Sequence, residues 1–128
     1  MSYYFSKTST LPFDEVIAAV TEALKNEGFG ILTEIDVQAT LKKKLNVDFK
    51  RYTILGACNP PFAHEALMLE DNIGTMLPCN VVVHEHAGGK VEVSAIDPVA
   101  SMGAVGNPAL TAIAEQVQAK LQRVVESL

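Results

Sequence analysis

The sequence predicts an α+β fold in which an antiparallel sheet carries two long helices on one face. Apolar residues recur with helical period over residues 13–25 and again over residues 108–127. Between these segments, Gly88 and Gly89 separate two alternating stretches, which is typical of a β-hairpin. Two amphipathic helices need an apolar surface to cover, and one face of a sheet supplies it. The whole chain, residues 1–128, is expected to form a single domain.

The predicted elements alternate between strands and helices along the chain. In order they are a strand at 3–7, a helix at 13–25, a strand at 29–37, a short helix at 38–45, a strand at 52–57, a helix that begins at Pro60, strands at 80–86 and 90–96, and a helix at 108–127. Pro12 favours a helix start, and Gly28 is suited to the left-handed residue after a helix end. Asn59 is expected to cap the helix that begins at Pro60.

Charge and hydropathy exclude two classes of partner. The net charge is −5, and the longest basic run is Lys42–Lys44, which is typical of a solvated helix face, so nucleic-acid binding is not expected. No apolar run reaches the ~18 residues of a membrane-spanning helix. The first ten residues lack the pattern of a signal peptide, and a cytoplasmic location is therefore expected. In a reducing cytosol, two cysteines are more often free, ligating or reactive than disulfide-bonded.

Two turns marked by proline hold both cysteines of the chain. Cys58 precedes Asn59 and Pro60, with His64 six residues further on, and Cys79 follows Pro78. Two cysteines and a histidine form a soft ligand set that suits Zn²⁺ or Cu(I), although their spacing is not that of a zinc finger. A shared site requires Cys58 and Cys79 to approach each other, and His64 to point to the same place.

Other interpretations of these residues stay open. The partial positive charge at a helix start favours a thiolate, so Cys58 is a possible nucleophile or redox centre with His64 as its base. Both cysteines are equally compatible with small buried side chains that have no chemical role. Glu85 and Asp97 are candidates to supply a carboxylate to a pocket, and Asp97 with Pro98 is also typical of a turn.

His84 and His86 alternate with Glu85 along a predicted strand. The two histidines therefore share one face of the sheet, and Glu85 lies on the other. Two histidines at this spacing can hold a metal ion, but the interpretation favoured here is a polar, open sheet face.

Several motifs resemble the DUF302 family, a group of small bacterial and archaeal proteins without an established activity. They are Phe29-Gly30-Ile31-Leu32-Thr33-Glu34-Ile35-Asp36, Ile54-Leu55-Gly56-Ala57-Cys58-Asn59-Pro60-Pro61 with Ala63-His64, Leu77-Pro78-Cys79-Asn80-Val81-Val82-Val83 with Glu85, and Asp97-Pro98 with Met102. The resemblance implies a β-α-β(4)-α type of fold, similar to the TATA-binding protein, with short inserted helices and a dimeric assembly. It implies no DNA binding, because a fold does not determine a function. The Cys58 and Cys79 turns belong to the motifs, whereas His84 and His86 do not.

Three hypotheses about function follow. In the first, the protein binds a small ligand or a soft metal ion at the two turns, through Cys58, Asn59, Pro60, His64, Pro78, Cys79, Glu85 and Asp97. In the second, it is a thiol-dependent enzyme or redox protein that uses Cys58. In the third, it is a structural or interaction protein whose homodimer interface is its function.

Overall fold

The computed structural model describes residues 2–128, and its regular elements follow the predicted order. The strands are β1 Tyr4–Ser9, β2 Gly30–Asp36, β3 Tyr52–Cys58, β4 Cys79–Glu85 and β5 Val91–Ile96. The helices are α1 Phe13–Asn26, α2 Val37–Leu45, α3 Pro60–Leu69, α4 Pro98–Met102 and α5 Ala109–Glu126, with 3₁₀ segments at Asp71–Met76 and Gly103–Val105. The predicted α+β class is confirmed.

The strands form one sheet in the order β1-β5-β4-β3-β2, and all neighbouring strands are antiparallel. Strands β4 and β5 form the predicted hairpin around Gly88 and Gly89. Both glycines have positive φ, at 94° and 90°, which side chains disfavour. The hairpin places His84 directly opposite Glu92.

Helices α1 and α5 pack side by side on one face of the sheet, as predicted. Their buried residues follow the helical stripe seen in the sequence and contact the inward residues of the central strands. These core residues include Val16, Val20 and Leu24 of α1, Val117, Leu121 and Val124 of α5, and Leu55, Val81, Val83 and Val93 of the sheet. Within residues 2–128, no helix is both long and apolar enough to cross a membrane.

Helix α1 ends in two hydrogen bonds that require Gly28. The amide of Phe29 donates to the carbonyl oxygen of Leu24, and the amide of Gly28 donates to that of Lys25. This pairing is the Schellman motif, and Gly28 adopts its left-handed conformation with φ 86°. The sequence-based expectation for Gly28 is confirmed.

The segment after β5 differs from the sequence-based expectation. Asp97 and Pro98 do not form a simple turn but begin the short helix α4. The Asp97 carboxylate accepts a hydrogen bond from the Val99 amide at 3.0 Å, as a helix-capping residue does. This helix is only five residues long, too short to show an apolar period in the sequence.

Candidate functional site

A cavity of about 330 Å³ lies between helix α3, helix α5 and the end of the sheet where β3 stops and β4 starts. We call it the cysteine cavity, because Cys58 and Cys79 both line it. Helix α3 contributes Phe62 and Ala66, and helix α5 contributes Val117 among others. The wall is almost entirely apolar, and of the described residues that line it, none carries a charged side chain.

The sheet register brings the two cysteines close together across the neighbouring strands β3 and β4. Cys79 pairs with Ala57, and Cys58 is the next residue after Ala57 and the last of its strand. Both thiols are free and both residues are half-buried. The sequence therefore folds so that its two cysteines contribute to one wall.

Burial, together with the smaller effect of the neighbouring Cys58 charge, raises the pKa of the Cys79 thiol from 9.0 to about 11. A buried thiol resists ionisation because the thiolate loses its hydration. Cys79 is therefore a neutral thiol at physiological pH, suited to contact an apolar molecule. It is poorly suited to act as a nucleophile, since the thiolate is the reactive form.

Asn59 precedes α3 but does not cap it in the expected way. Its side chain makes no capping hydrogen bond, and its Nδ2 donates instead to the carbonyl oxygen of Glu27, 3.2 Å away. Only 8% of Asn59 is exposed, and it also lines the cysteine cavity. Pro60 occupies the first turn of α3, where its missing N–H has no consequence, as predicted.

His64 is exposed on α3 and does not line the cysteine cavity. Residues Phe62 and Ala66 of the same helix face the cavity, and a residue two positions from each lies on the far side of a helix. Within residues 2–128, Cys58, His64 and Cys79 do not form a group whose ligand atoms lie within 4.8 Å of one another. The geometry brings the two cysteines to one wall and leaves His64 outside it.

Pro78 lines the cysteine cavity beside Cys79 and also covers Gly56 on the neighbouring strand. A Cβ atom on Gly56 would lie 2.7 Å from Pro78 Cγ and would collide with Thr33 Oγ1. The Leu77-Pro78 peptide bond is cis. Gly56 therefore allows Pro78 to pack closely on β3.

Glu85 and Asp97 lie outside the wall of the cysteine cavity. The Asp97 carboxylate caps α4 and accepts a second hydrogen bond from Gln118 Nε2 of α5 at 3.0 Å. Glu85 ends β4, and its backbone amide donates to the carbonyl oxygen of Arg51. Asp97 thus links two helices to the sheet end.

Outside the cysteine cavity, the structure brings together a cluster of polar side chains that the sequence analysis predicts only in part. His84, His86 and Glu92 hold ligand atoms within 4.8 Å of one another. The two histidines share one face, as predicted, whereas the sequence alone does not place Glu92 beside them. Its nearness depends on the register of the hairpin, which pairs His84 with Glu92.

Comparisons with known proteins identify the family. The family described as domain of unknown function DUF302 matches residues 5–128. The fold is similar to a crystal structure of an uncharacterized conserved protein DUF302 from Bacillus stearothermophilus, with a TM-score of 0.91 and 29% sequence identity over 98% of both chains. Comparison with curated proteins gives no match. The chain belongs to the DUF302 family.

Proposed function

We propose that the protein binds a small, neutral and largely apolar molecule in the cysteine cavity. The observation that carries this proposal is the cavity itself, about 330 Å³ in volume and lined almost wholly by apolar atoms. Small-molecule sites are typically apolar clefts of about 300–1,000 Å³ with a few polar groups.

The character of the wall supports a neutral ligand. A charged group that enters an apolar cavity loses its hydration and needs an opposite charge to compensate. Among residues 2–128, none that lines this cavity is charged. Asn59 and the two thiols are the polar groups available, and they suit one hydroxyl or carbonyl group on an otherwise apolar molecule.

The same geometry favours this hypothesis over a zinc site at the two turns. His64 stays outside the wall, so the cavity offers two sulfur ligands where a structural zinc site uses four. Metal binding also requires thiolates, and the raised pKa of Cys79 opposes that ionisation. Cu(I) binding and thiol chemistry at Cys58 are the alternative hypotheses, and both require a thiolate.

Binding of the neutral dye Nile red tests the proposal. The fluorescence of this dye rises in an apolar site, and we expect saturable binding to the protein at one site. Ala63 lines the cavity, so Ala63→Phe should fill it and weaken binding at least tenfold. Ala119 is exposed on α5, and Ala119→Phe is the matched control. Equal binding by both variants would contradict the proposal.

We also propose that the chain assembles as a homodimer. Strands β1 and β2 are the two edges of the sheet, and an uncovered edge offers unpaired backbone groups to a second strand. On β2, Leu32 and Ile35 are 68% and 46% exposed. A monomeric mass by light scattering at tens of micromolar protein would contradict this assembly.

We place the protein in the cytoplasm, where its free thiols would stay reduced.

A further inference from the structure

A cluster of two histidines and a carboxylate lies on the face of the sheet that α1 and α5 leave open. His84 lies on β4, His86 follows Glu85 at the end of that strand, and Glu92 on β5 pairs directly with His84. The cluster borders a cleft of about 440 Å³, whose wall includes His84, Glu92 and Tyr52. This cleft is separate from the cysteine cavity, on the other face of the sheet.

Both imidazole rings direct their Nε2 atoms toward the same carboxylate. His86 Nε2 lies 2.7 Å from Glu92 Oε1, and His84 Nε2 lies 3.9 Å from Glu92 Oε2. Ligand atoms of a four-coordinate ion stand ~3.3 Å apart when each is ~2.0–2.1 Å from the metal. The two measured separations, which involve different oxygens of the carboxylate, lie on either side of this value, and the three residues offer ligand atoms within 4.8 Å of one another. Small side-chain rotations would bring these atoms to one ion.

Neighbouring groups hold these side chains in position. The Tyr52 ring stacks on the His84 ring at a centroid distance of 5.2 Å, and Ser94 Oγ donates to Glu92 Oε2 at 2.9 Å. Only 13% of the His84 side chain and 21% of the Glu92 side chain are exposed. In known metal sites, contacts of this kind between the ligands and surrounding residues fix the orientation of the ligands.

We propose that His84, His86 and Glu92 bind a divalent transition-metal ion through two Nε2 atoms and the carboxylate. Two imidazoles and one carboxylate suit ions such as Zn²⁺, Ni²⁺ and Co²⁺. Three protein ligands leave at least one coordination position, which would open on the cleft.

Lys50 opposes this binding in a specific way. Its ammonium lies 3.1 Å from His84 Nδ1 and can only donate, so the proton of the neutral ring lies on Nε2. An ion at Nε2 moves that proton to Nδ1 and displaces Lys50. Lys50→Gln removes the competing charge, and we expect it to tighten binding severalfold.

Titration of the full-length, metal-free protein with Co²⁺ tests the proposal. We expect binding of one ion that the Cys58→Ser, Cys79→Ser double variant retains, without a thiolate-to-cobalt charge-transfer band in the near ultraviolet. Glu92→Gln and His86→Asn should each weaken binding at least tenfold, whereas His64→Asn, at an exposed histidine outside the cluster, should not change it. His86 is exposed, so its substitution leaves the fold intact.

Three results would overturn the metal site. They are the absence of Co²⁺ binding, unchanged affinity in both Glu92→Gln and His86→Asn, and loss of binding in the double cysteine variant. The last result would place the ion at the cysteines.

Discussion

The side-chain amide of Asn59 donates a hydrogen bond to the backbone carbonyl oxygen of Glu27, and this bond joins the start of α3 to the end of α1. A Cβ atom on Gly28 would lie 3.2 Å from the same amide nitrogen, so the glycine also makes room for Asn59. This hydrogen bond therefore fixes Asn59, which lines the cysteine cavity, to the end of α1. The bond connects two elements that are 32 residues apart in the chain.

We expect Asn59→Ala to lower the free energy of unfolding by about 1–3 kcal/mol, because it leaves a carbonyl oxygen of the helix end without its partner. Chemical denaturation measures this change. Asn72→Ala is the matched control, since Asn72 is exposed and its side chain makes no hydrogen bond within residues 2–128. An equal effect of the two substitutions would show that the Asn59 bond does not stabilise the fold.

Gly56→Ala should destabilise the protein by about 1–3 kcal/mol, because the added methyl group meets Thr33 Oγ1 and Pro78 Cγ. Gly30→Ala is the control on the adjacent strand. A Cβ atom there has no heavy atom within 4 Å among the described residues, so we expect little change. Thermal unfolding of both variants checks this, and equal melting temperatures would contradict the packing described for Gly56.

The Cys79 thiol should ionise only near pH 11, and Cys58→Ser should lower its pKa while leaving it above 9.0, since burial is the larger cause. The ultraviolet absorbance of the thiolate, followed with pH in the unsubstituted protein and in Cys58→Ser, measures the two values. The raised pKa also predicts a stability that is complete below pH 9.0 and declines as the pH rises toward 11, because the unfolded chain loses this proton first. Ionisation of Cys79 at pH 9.0 would contradict its burial in the cavity wall.

Much of the fold could be predicted from the sequence, because its determinants are local. The helical stripes of α1 and α5, the Gly28 helix end and the Gly88-Gly89 hairpin each depend on a few residues close together in the chain. Helix α4 was not predicted, since five residues carry no readable period and Asp97-Pro98 is typical of a turn as well as of a helix start.

The site was predictable only in part, because it depends on which face of a helix packs against the sheet and on how the strands pair. The positions of Cys58 and Cys79 at strand ends indicated a shared wall, but the angular position of His64 on α3 depends on where that helix begins and how it packs. Glu92 joined His84 only through the hairpin register, which the sequence leaves open by a residue or more. The likeness to the TATA-binding protein implied by the family resemblance stays a prediction.

The most direct test of the proposed function is methyl NMR of the full-length protein during titration with 1-octanol, a small neutral amphiphile. The account predicts that the methyl groups of Ala66, Ile113 and Val117 in the cavity wall shift and saturate together. The methyl groups of Val82, which lines the cleft on the other sheet face, should stay unchanged. Shifts confined to Val82, or no saturable shift at any cavity methyl group, would contradict ligand binding in the cysteine cavity.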